Sequence, residues 1–424
     1  MILVAAAAFV YRAAAFAYFF DDDFSWLVGT WAFQPGRLVD LAHMNHFYRP
    51  VIDLYFAIAT PLFGGSPTFF HLANIVLHAA NGLLLFALAR SMSGSTGYGF
   101  LTALFFVVQP GDVHAIAWVS ALAEPIGALF GCLALLWLLK FRRTGRSIWH
   151  VLSVAMFLLA LLTHESSVMF LPLLLLADWA FVAGDSTAGA PPQAWPSTLR
   201  AHVPYGALAA AYLAIDLQIN SRNYVVTEGH YGIGGHVVRN ALEYIVALYV
   251  GRHDVANYLL IAVVITLLLL RGSRRVLFAT AWLLLSLLPF VFFTWGNTSR
   301  YLYLPSMGFS MLVADGVMQL DSLLASRVAR APRMVVVGLI VAAVAVRFTV
   351  FAVVNVRIFA AEAEDYRRYI TLFKQVHGDL PSHSRVTYDP PVKAEHPHKF
   401  LNNLVQWEYR DPTIELVADP PNSR

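Results

Sequence analysis

Apolar runs long enough to cross a hydrocarbon core of about 30 Å recur along nearly the whole chain, and they limit its fold more than any other feature. Of the 424 residues, 58% are hydrophobic and only 13% are charged. The mean hydropathy is +0.61. The expectation is therefore an all-α polytopic membrane protein. Spans are predicted near residues 2 to 20, 67 to 90, 98 to 110, 116 to 140, 149 to 163, 166 to 183, 201 to 217, 255 to 270, 276 to 294, 302 to 320 and 334 to 354, about eleven transmembrane helices in all.

The basic residues report how such a bundle is oriented. Lys140, Arg142, Arg143 and Arg146 share one loop, Arg271, Arg274 and Arg275 a second, and Arg327, Arg330 and Arg333 a third. The positive-inside rule makes these loops cytoplasmic. Counting back places the N-terminus inside and residues 21 to 50, 110 to 117, 164 to 165 and 295 to 301 on the other side. Residues 51 to 63 are too short to span and carry Asp53, so they read as a helix lying at the outer interface, as does 236 to 252. Residues 184 to 199 read as a Gly/Pro/Ser linker. After Asn355 the composition turns polar, which divides the chain into a transmembrane domain over 1–354 and a small extracytoplasmic tail over 355–424. The net charge of +3 is small and lies in these topological clusters, so no nucleic-acid partner is implied. A lone cysteine, Cys132, inside an apolar run excludes a disulfide framework and a Cys-based metal site. No cleavable signal segment is evident.

Against this apolar background a few polar clusters stand out. Asp21, Asp22 and Asp23 follow the first apolar run, and carboxylates where lipid meets water are costly unless they have work to do. Activating a hydroxyl requires a carboxylate within hydrogen-bond reach, and successive acids raise at least one pKa. His164 and Glu165 form a tight polar turn between two spans. Arg300, flanked by Tyr301 and Tyr303, suits a phosphate at headgroup depth because its planar fork engages two oxygens at once. Arg49 occupies a comparable place at the end of the first loop. His114 and Trp118, in a short outer turn, are candidates for lining a sugar pocket. His71, Asn74, His78 and Asn81 recur at spacings of three, four and three, which puts them on one helix face suited to interhelical hydrogen bonds.

Together the segments FYRPVIDLYFAI, FFHLANIVLHAANGLLLFALAR, AIAWVSALAEPIGALF, HESSVMFLPLLLLADW and SRYLYLPSMGFSMLVA resemble the membrane part of the TMTC-type protein O-mannosyltransferases, within the GT-C glycosyltransferases. The resemblance runs from about residue 18 to 315. It implies a GT-C-like bundle, an extracytoplasmic active site and a polyprenyl-phosphate sugar as donor. The family's first-loop acidic motif falls on Asp22 and Asp23, one of which would be the catalytic base. Its Lys-Glu pair falls on His164 and Glu165, and its Arg-Tyr-Leu-Tyr motif on Arg300 through Tyr303. The chain departs from the family where His114 replaces an acid, where Glu124 alone remains of a charged run, and where His164 replaces the lysine. The tetratricopeptide array is absent.

The resemblance implies a multi-pass glycosyltransferase of a bacterial inner membrane, and a mannosyltransferase if the chain follows the family in its sugar. It would move a sugar from a polyprenyl-phosphate donor to an acceptor hydroxyl on protein, lipid or polysaccharide. The bilayer, the donor and an acceptor are the partners implied. No cofactor is required, because a lipid-phosphate leaving group already carries charge; a divalent metal is not indicated. The rival reading is a transporter or flippase of a lipid-linked or polar substrate, with the acids as ion or proton sites. It would favour charged residues in mid-span and two related halves, and no such duplication is visible.

Overall fold

The protein is described from a computed structural model, covering residues 1–41, 47–182, 195–294, 299–388 and 398–418. The acidic triplet lies inside these ranges, whereas most of the expected linker and part of the 295 to 301 segment lie outside them.

Each expected span coincides with a helix, and the helices run up and down between two ends of a bundle. They are α1 (Ile2–Tyr11), α4 (Pro67–Ser93), α5 (Thr96–Val107), α7 (Ala123–Thr144), α8 (Ser147–Leu161), α9 (Phe170–Phe181), α10 (Trp195–Asn220), α13 (Val255–Arg271), α14 (Arg274–Val291), α15 (Tyr303–Ala325) and α16 (Arg330–His377). Shorter helices α2 (Asp23–Gly29), α3 (Pro50–Phe63), α6 (Val113–Ala117), α11 (Tyr224–Thr227) and α12 (His236–Leu248) fill the connections at one end.

The helices start and stop where local chemistry dictates. Gly94 and Gly145 end α4 and α7 at φ of +71° and +67°, a conformation that side chains disfavour. The hydroxyl of Ser95 accepts the Tyr98 N–H at 3.2 Å to open α5, and Asp254 accepts the Asn257 N–H at 2.9 Å to open α13.

The helices are unequal. Among the described residues, four stretches are long and apolar enough to cross a membrane: Pro67–Ser93, Val119–Thr144, Arg274–Val291 and Arg330–His377. A fifth is Thr96–Val107 with Pro110–Ala117, bent by 47° between them. The count of eleven spans is thus not met by length and composition. The first expected span shows why: its helix ends at Tyr11, and a 3-10 turn at Ala14–Phe16 and extended chain carry it to the acids.

The last expected span departs in the other direction. Helix α16 continues without a break through Asn355 to His377, 48 residues or roughly 70 Å at 1.5 Å per residue. Beyond it, β1 (Arg385–Tyr388) and β2 (Glu415–Ala418) pair in parallel, with Arg385 opposite Glu415, and α17 (His398–Tyr409) lies between them in sequence. This βαβ unit is a local exception in an otherwise helical chain. It does not stand apart: Leu401, Leu404, Val405 and Leu416 share a buried cluster with Phe24, Leu27 and Phe56 of α2 and α3. Lys374 also pairs with Glu408 at 2.6 Å.

Charge separates by end. At one end Arg142 pairs with Asp178 at 2.7 Å and Arg333 with Asp321 at 3.1 Å; Arg275 pairs with Asp315 there too. The acidic triplet, Arg49, His164, Glu165 and Arg300 gather at the opposite end.

Between the ends, the polar stripe of α4 knits the interior. The Asn74 amide donates to the Ile116 carbonyl at 3.2 Å. His78 lies between the Tyr303 hydroxyl and the Val107 carbonyl at 3.1 and 3.2 Å. Asn81 donates to the Pro125 carbonyl and the Tyr303 hydroxyl at 2.8 and 3.0 Å. Asn74, His78 and Asn81 thus make the interhelical hydrogen bonds that the 3-4-3 spacing predicts.

Helices α14 and α15 pack with their backbones close together at Gly308. A Cβ on Gly308 would lie 2.7 Å from the Leu283 nitrogen and 2.8 Å from the Ala279 oxygen, whereas one on Gly316 would meet nothing within 4 Å. Gly308→Ala is expected to lower stability by about 2 kcal/mol through overpacking. Gly316→Ala on the same helix should leave it within about 0.5 kcal/mol. Unfolding temperatures in detergent check the contrast.

Candidate active site

The three adjacent aspartates have three different environments, set by the turn that leads into α2. Asp21 adopts a positive φ of 46°, and its carboxylate accepts a hydrogen bond from the Tyr366 hydroxyl of α16. Asp23 is wholly buried. One of its oxygens accepts the Phe20 N–H at 2.9 Å and the other the Ser120 N–H at 2.6 Å. Burial, and then the charge of Asp22, push its pKa well above the ordinary carboxylate range, opposed by those two N–H donors. Asp22 lies between them and is half-buried. Its carboxylate accepts the Ser120 hydroxyl. One serine therefore holds two of the acids, Asp22 through its hydroxyl and Asp23 through its backbone.

Across the same end, Arg49 precedes α3 and meets Glu165 in a two-pronged ion pair, Nε to Oε2 at 2.9 Å and Nη2 to Oε1 at 2.5 Å. The two side chains are 16% and 23% exposed, so solvent screens the pair only partly. Burial alone would raise Glu165, but the charge of Arg49 holds it at about 2. Burial likewise works to lower Arg49, and Glu165 overrides it, raising the guanidinium. Glu165 stays anionic throughout the ordinary pH range.

Beside it, His164 approaches Glu165 at 3.7 Å and Glu124 at 3.5 Å, and its Nδ1 lies 2.8 Å from the Ser166 hydroxyl. Burial, and then the charge of Arg49, push His164 down to about 3. A neutral imidazole stands where the family resemblance has a lysine.

Arg300 is a further cation of this end. Its guanidinium carbon lies 4.9 Å from the Trp118 ring and 5.0 Å from the Tyr301 ring, and Nη2 donates to the Tyr301 hydroxyl at 3.0 Å. Among the described residues its buried Nε has no hydrogen-bond partner, and neither has the Trp118 Nε1. Among the described residues no carboxylate pairs with it. Burial works to lower its pKa, but Tyr301 and the charge of Asp22 raise it, so Asp22 and Arg300 face one another electrostatically. Tyr301 is fixed by stacking on Phe290 at 4.3 Å, and His114 packs against Phe359 at 5.9 Å.

Asp22, Arg49, His114, Trp118, His164, Glu165, Arg300 and Tyr301 thus gather at one end of the bundle. Two expected site residues do not offer a free face. Asp23 is enclosed by its backbone donors, and Tyr303, expected to bind the donor, is wholly buried with its hydroxyl between His78 and Asn81. Arg300 and Tyr301 lie in a 3-10 turn, Ser299–Leu302, and Tyr303 opens α15 with its side chain in the interior. Two residues not singled out for the site join it. Ser120 carries no sequence signal as an isolated serine. Glu124, noted only as a retained acid, sits against His164 and Ser166. Among the described residues no group of three or more His, Cys, Asp or Glu is placed to hold a metal ion.

No family model matches the chain. The human protein O-mannosyl-transferase TMTC1 is 34% identical over 90 residues, 21% of this chain and 10% of that protein. The aligned stretch therefore spans about a tenth of the relative's length. Among solved structures, ArnT from Cupriavidus metallidurans in the apo state superposes with a TM-score of 0.56 at 14% identity, covering 98% of this chain and 84% of that one. The archaeal oligosaccharyltransferase AglB from Archaeoglobus fulgidus, in complex with an inhibitory peptide and a dolichol-phosphate, superposes with a TM-score of 0.50 at 12% identity over 99% and 64%. The chain is thus related in sequence to TMTC O-mannosyltransferases and carries the fold of GT-C enzymes, as its motifs suggest. It is an integral membrane protein.

The Arg49–Glu165 pair carries a pH signature. The folded pKa of Glu165 lies below its ordinary 4.5, at about 2, so the stability it contributes is present above pH 4.5 and is lost as pH falls towards 2. Glu165→Gln, which strands the Arg49 charge, is expected to cost about 2 kcal/mol at neutral pH and to flatten acid destabilisation in that window. Thermal unfolding of the variant and the parent from pH 7 to pH 2.5 tests both.

Proposed function

We propose that the chain transfers a sugar from a polyprenyl-phosphate donor to an acceptor hydroxyl, with Asp22 as the general base and Arg300 as the residue that meets the departing phosphate. The observation that carries this reading is Arg300 itself. It is a cation walled by Trp118 and Tyr301, with a buried Nε that has no acceptor among the described residues and a half-buried carboxylate, Asp22, in its field. An arginine kept free of carboxylates at such a place suits a phosphate oxygen better than a structural role. Relatives named O-mannosyltransferases and a GT-C fold support the reaction class.

In mechanism, the Asp22 carboxylate takes the proton of the acceptor hydroxyl as its oxygen bonds to the anomeric carbon. The bond from that carbon to the phosphate oxygen breaks, and its electron pair stays on the lipid phosphate, whose added charge Arg300 stabilises. Ser120 aims Asp22. Asp23 acts as a positioning residue, since no substrate reaches it, and anchors the turn that presents Asp22. Glu165 orients Arg49 as a second cation, His164 offers a neutral hydrogen bond, and Trp118 and His114 line the sugar. Tyr303 supports the site from the interior. Neither the sugar nor the acceptor is specified by this geometry.

The arginine- and lysine-rich end would face the cytoplasm and the acidic end the other side of a bacterial inner membrane, the orientation that the basic loops favour. On this reading residues 1–354 are the catalytic membrane domain, and 355–424 extend α16 and add the βαβ unit on the extracytoplasmic side.

Radiolabelled sugar transfer from a polyprenyl-phosphate donor in purified membranes tests the assignment. Asp22→Asn is expected to lower the rate about a hundredfold or more, while Asp21→Asn, which leaves Asp22 and Ser120 in place, retains most of it. Full transfer by an Asp22→Asn, Asp23→Asn double variant that expresses and inserts normally would overturn it.

A further inference from the structure

At the basic end, the termini of α4 and α7 enclose a crevice of about 310 Å³ lined by Ser91, Leu136, Trp137, Lys140, Arg143 and Thr144. Cations at helix ends ordinarily report topology alone, through long side chains that move freely in solvent. Two of these are held in place. Arg143 spends Nη1 on the Ser91 hydroxyl at 2.7 Å and Nη2 on the Ser91 carbonyl at 2.6 Å. The Lys140 ammonium stands 3.4 Å over the centre of the Trp149 ring.

Neither contact neutralises charge. Among the described residues no carboxylate forms an ion pair with Lys140 or Arg143, whereas Arg142, between them in sequence, is paired with Asp178. Among the described residues Arg142 is paired, whereas Lys140 and Arg143 are held in place without an ion-pair partner and line one concavity. Because both are already restrained, an anion settling there costs little further side-chain entropy. Leu136 and Trp137 lie a helical turn deeper on α7 and form an apolar wall beneath the charged rim. A cationic, hydroxyl-bearing rim above an apolar wall matches a phospholipid, whose phosphate lies at the interface and whose chains lie below it.

We propose that this crevice binds an anionic phospholipid, with Lys140 and Arg143 engaging the headgroup phosphate and Leu136 and Trp137 receiving the first acyl carbons. Free phosphate shares the charge chemistry but has nothing to place against the apolar wall. The site lies at the opposite end of the bundle from Asp22 and Arg300, and the proposal stands apart from any reading of the reaction.

Native mass spectrometry of the full-length protein in detergent, titrated with phosphatidylglycerol or phosphatidylcholine, tests it. Phosphatidylglycerol should be retained preferentially. Lys140→Gln with Arg143→Gln should weaken its binding roughly thirtyfold, about fivefold for each cation at an anionic surface. Arg327→Gln with Arg330→Gln, which removes equal charge from another basic loop, should leave it within about twofold. Equal loss in both pairs, or none in the crevice pair, overturns the proposal. So does displacement of phosphatidylglycerol by inorganic phosphate at equal concentration. The charge-conserving Lys140→Arg, Arg143→Lys variant guards against misfolding: it should keep most of the binding, and a loss matching the neutral pair at an unchanged unfolding temperature counts against the site.

Discussion

A carboxylate taken fully out of water must find hydrogen bonds inside the fold, and at the acidic end that requirement falls on Asp23. The Phe20 and Ser120 amides meet it, and in doing so they tie the end of the first apolar segment to the start of the Val119–Thr144 span. The neighbouring contacts follow from this clasp. Asp22 is aimed by the Ser120 hydroxyl, and Asp21 is turned outward to the Tyr366 hydroxyl of α16. Three identical side chains in sequence thereby fix three separate parts of the molecule to one another.

The same economy of charge governs the rest of the bundle. On α4 the side chains of Asn74, His78 and Asn81 hydrogen-bond to carbonyls and to Tyr303, and the ion pairs lie towards the two ends. At the acidic end Arg49 and Glu165 neutralise each other, and Arg300 is left without such a partner. A glycosyl transfer would need a base and a place for a departing anion, and at this end Asp22 and Arg300 are, among the described residues, a carboxylate and a guanidinium without an ion-pair partner.

Much of this was legible in the residues because the signals were local. Apolar run length located the helices, the 3-4-3 spacing of His71, Asn74, His78 and Asn81 gave the inward face of α4, and a short loop marked the His164–Glu165 turn. What was hidden depended on distant partners. Nothing in the acidic triplet distinguishes Asp22 from Asp23, because the difference is made by Ser120, about a hundred residues away in the chain. Tyr303 looked like a companion of Arg300, but it opens α15 with its hydroxyl between His78 and Asn81 in the core. Span length also misled: α1 ends at Tyr11 although its apolar run continues, because extended chain can lie buried against α4 and α16 as readily as helix. The composition turns polar after Asn355 without a change in backbone, and α16 runs on to His377.

That continuity makes α16 a measuring rod. A helix transmits length and rotation along its axis without slack, so the height and facing of Tyr366 and of the βαβ unit above Asp21 are set by where α16 is seated at the basic end, near Arg330 and Arg333. Adding one residue anywhere between would turn the upper half by about 100° and lift it by about 1.5 Å. The Tyr366 hydroxyl would then swing off Asp21, although no residue of the acidic end had changed. The register of one peripheral helix is in this sense part of the site's geometry.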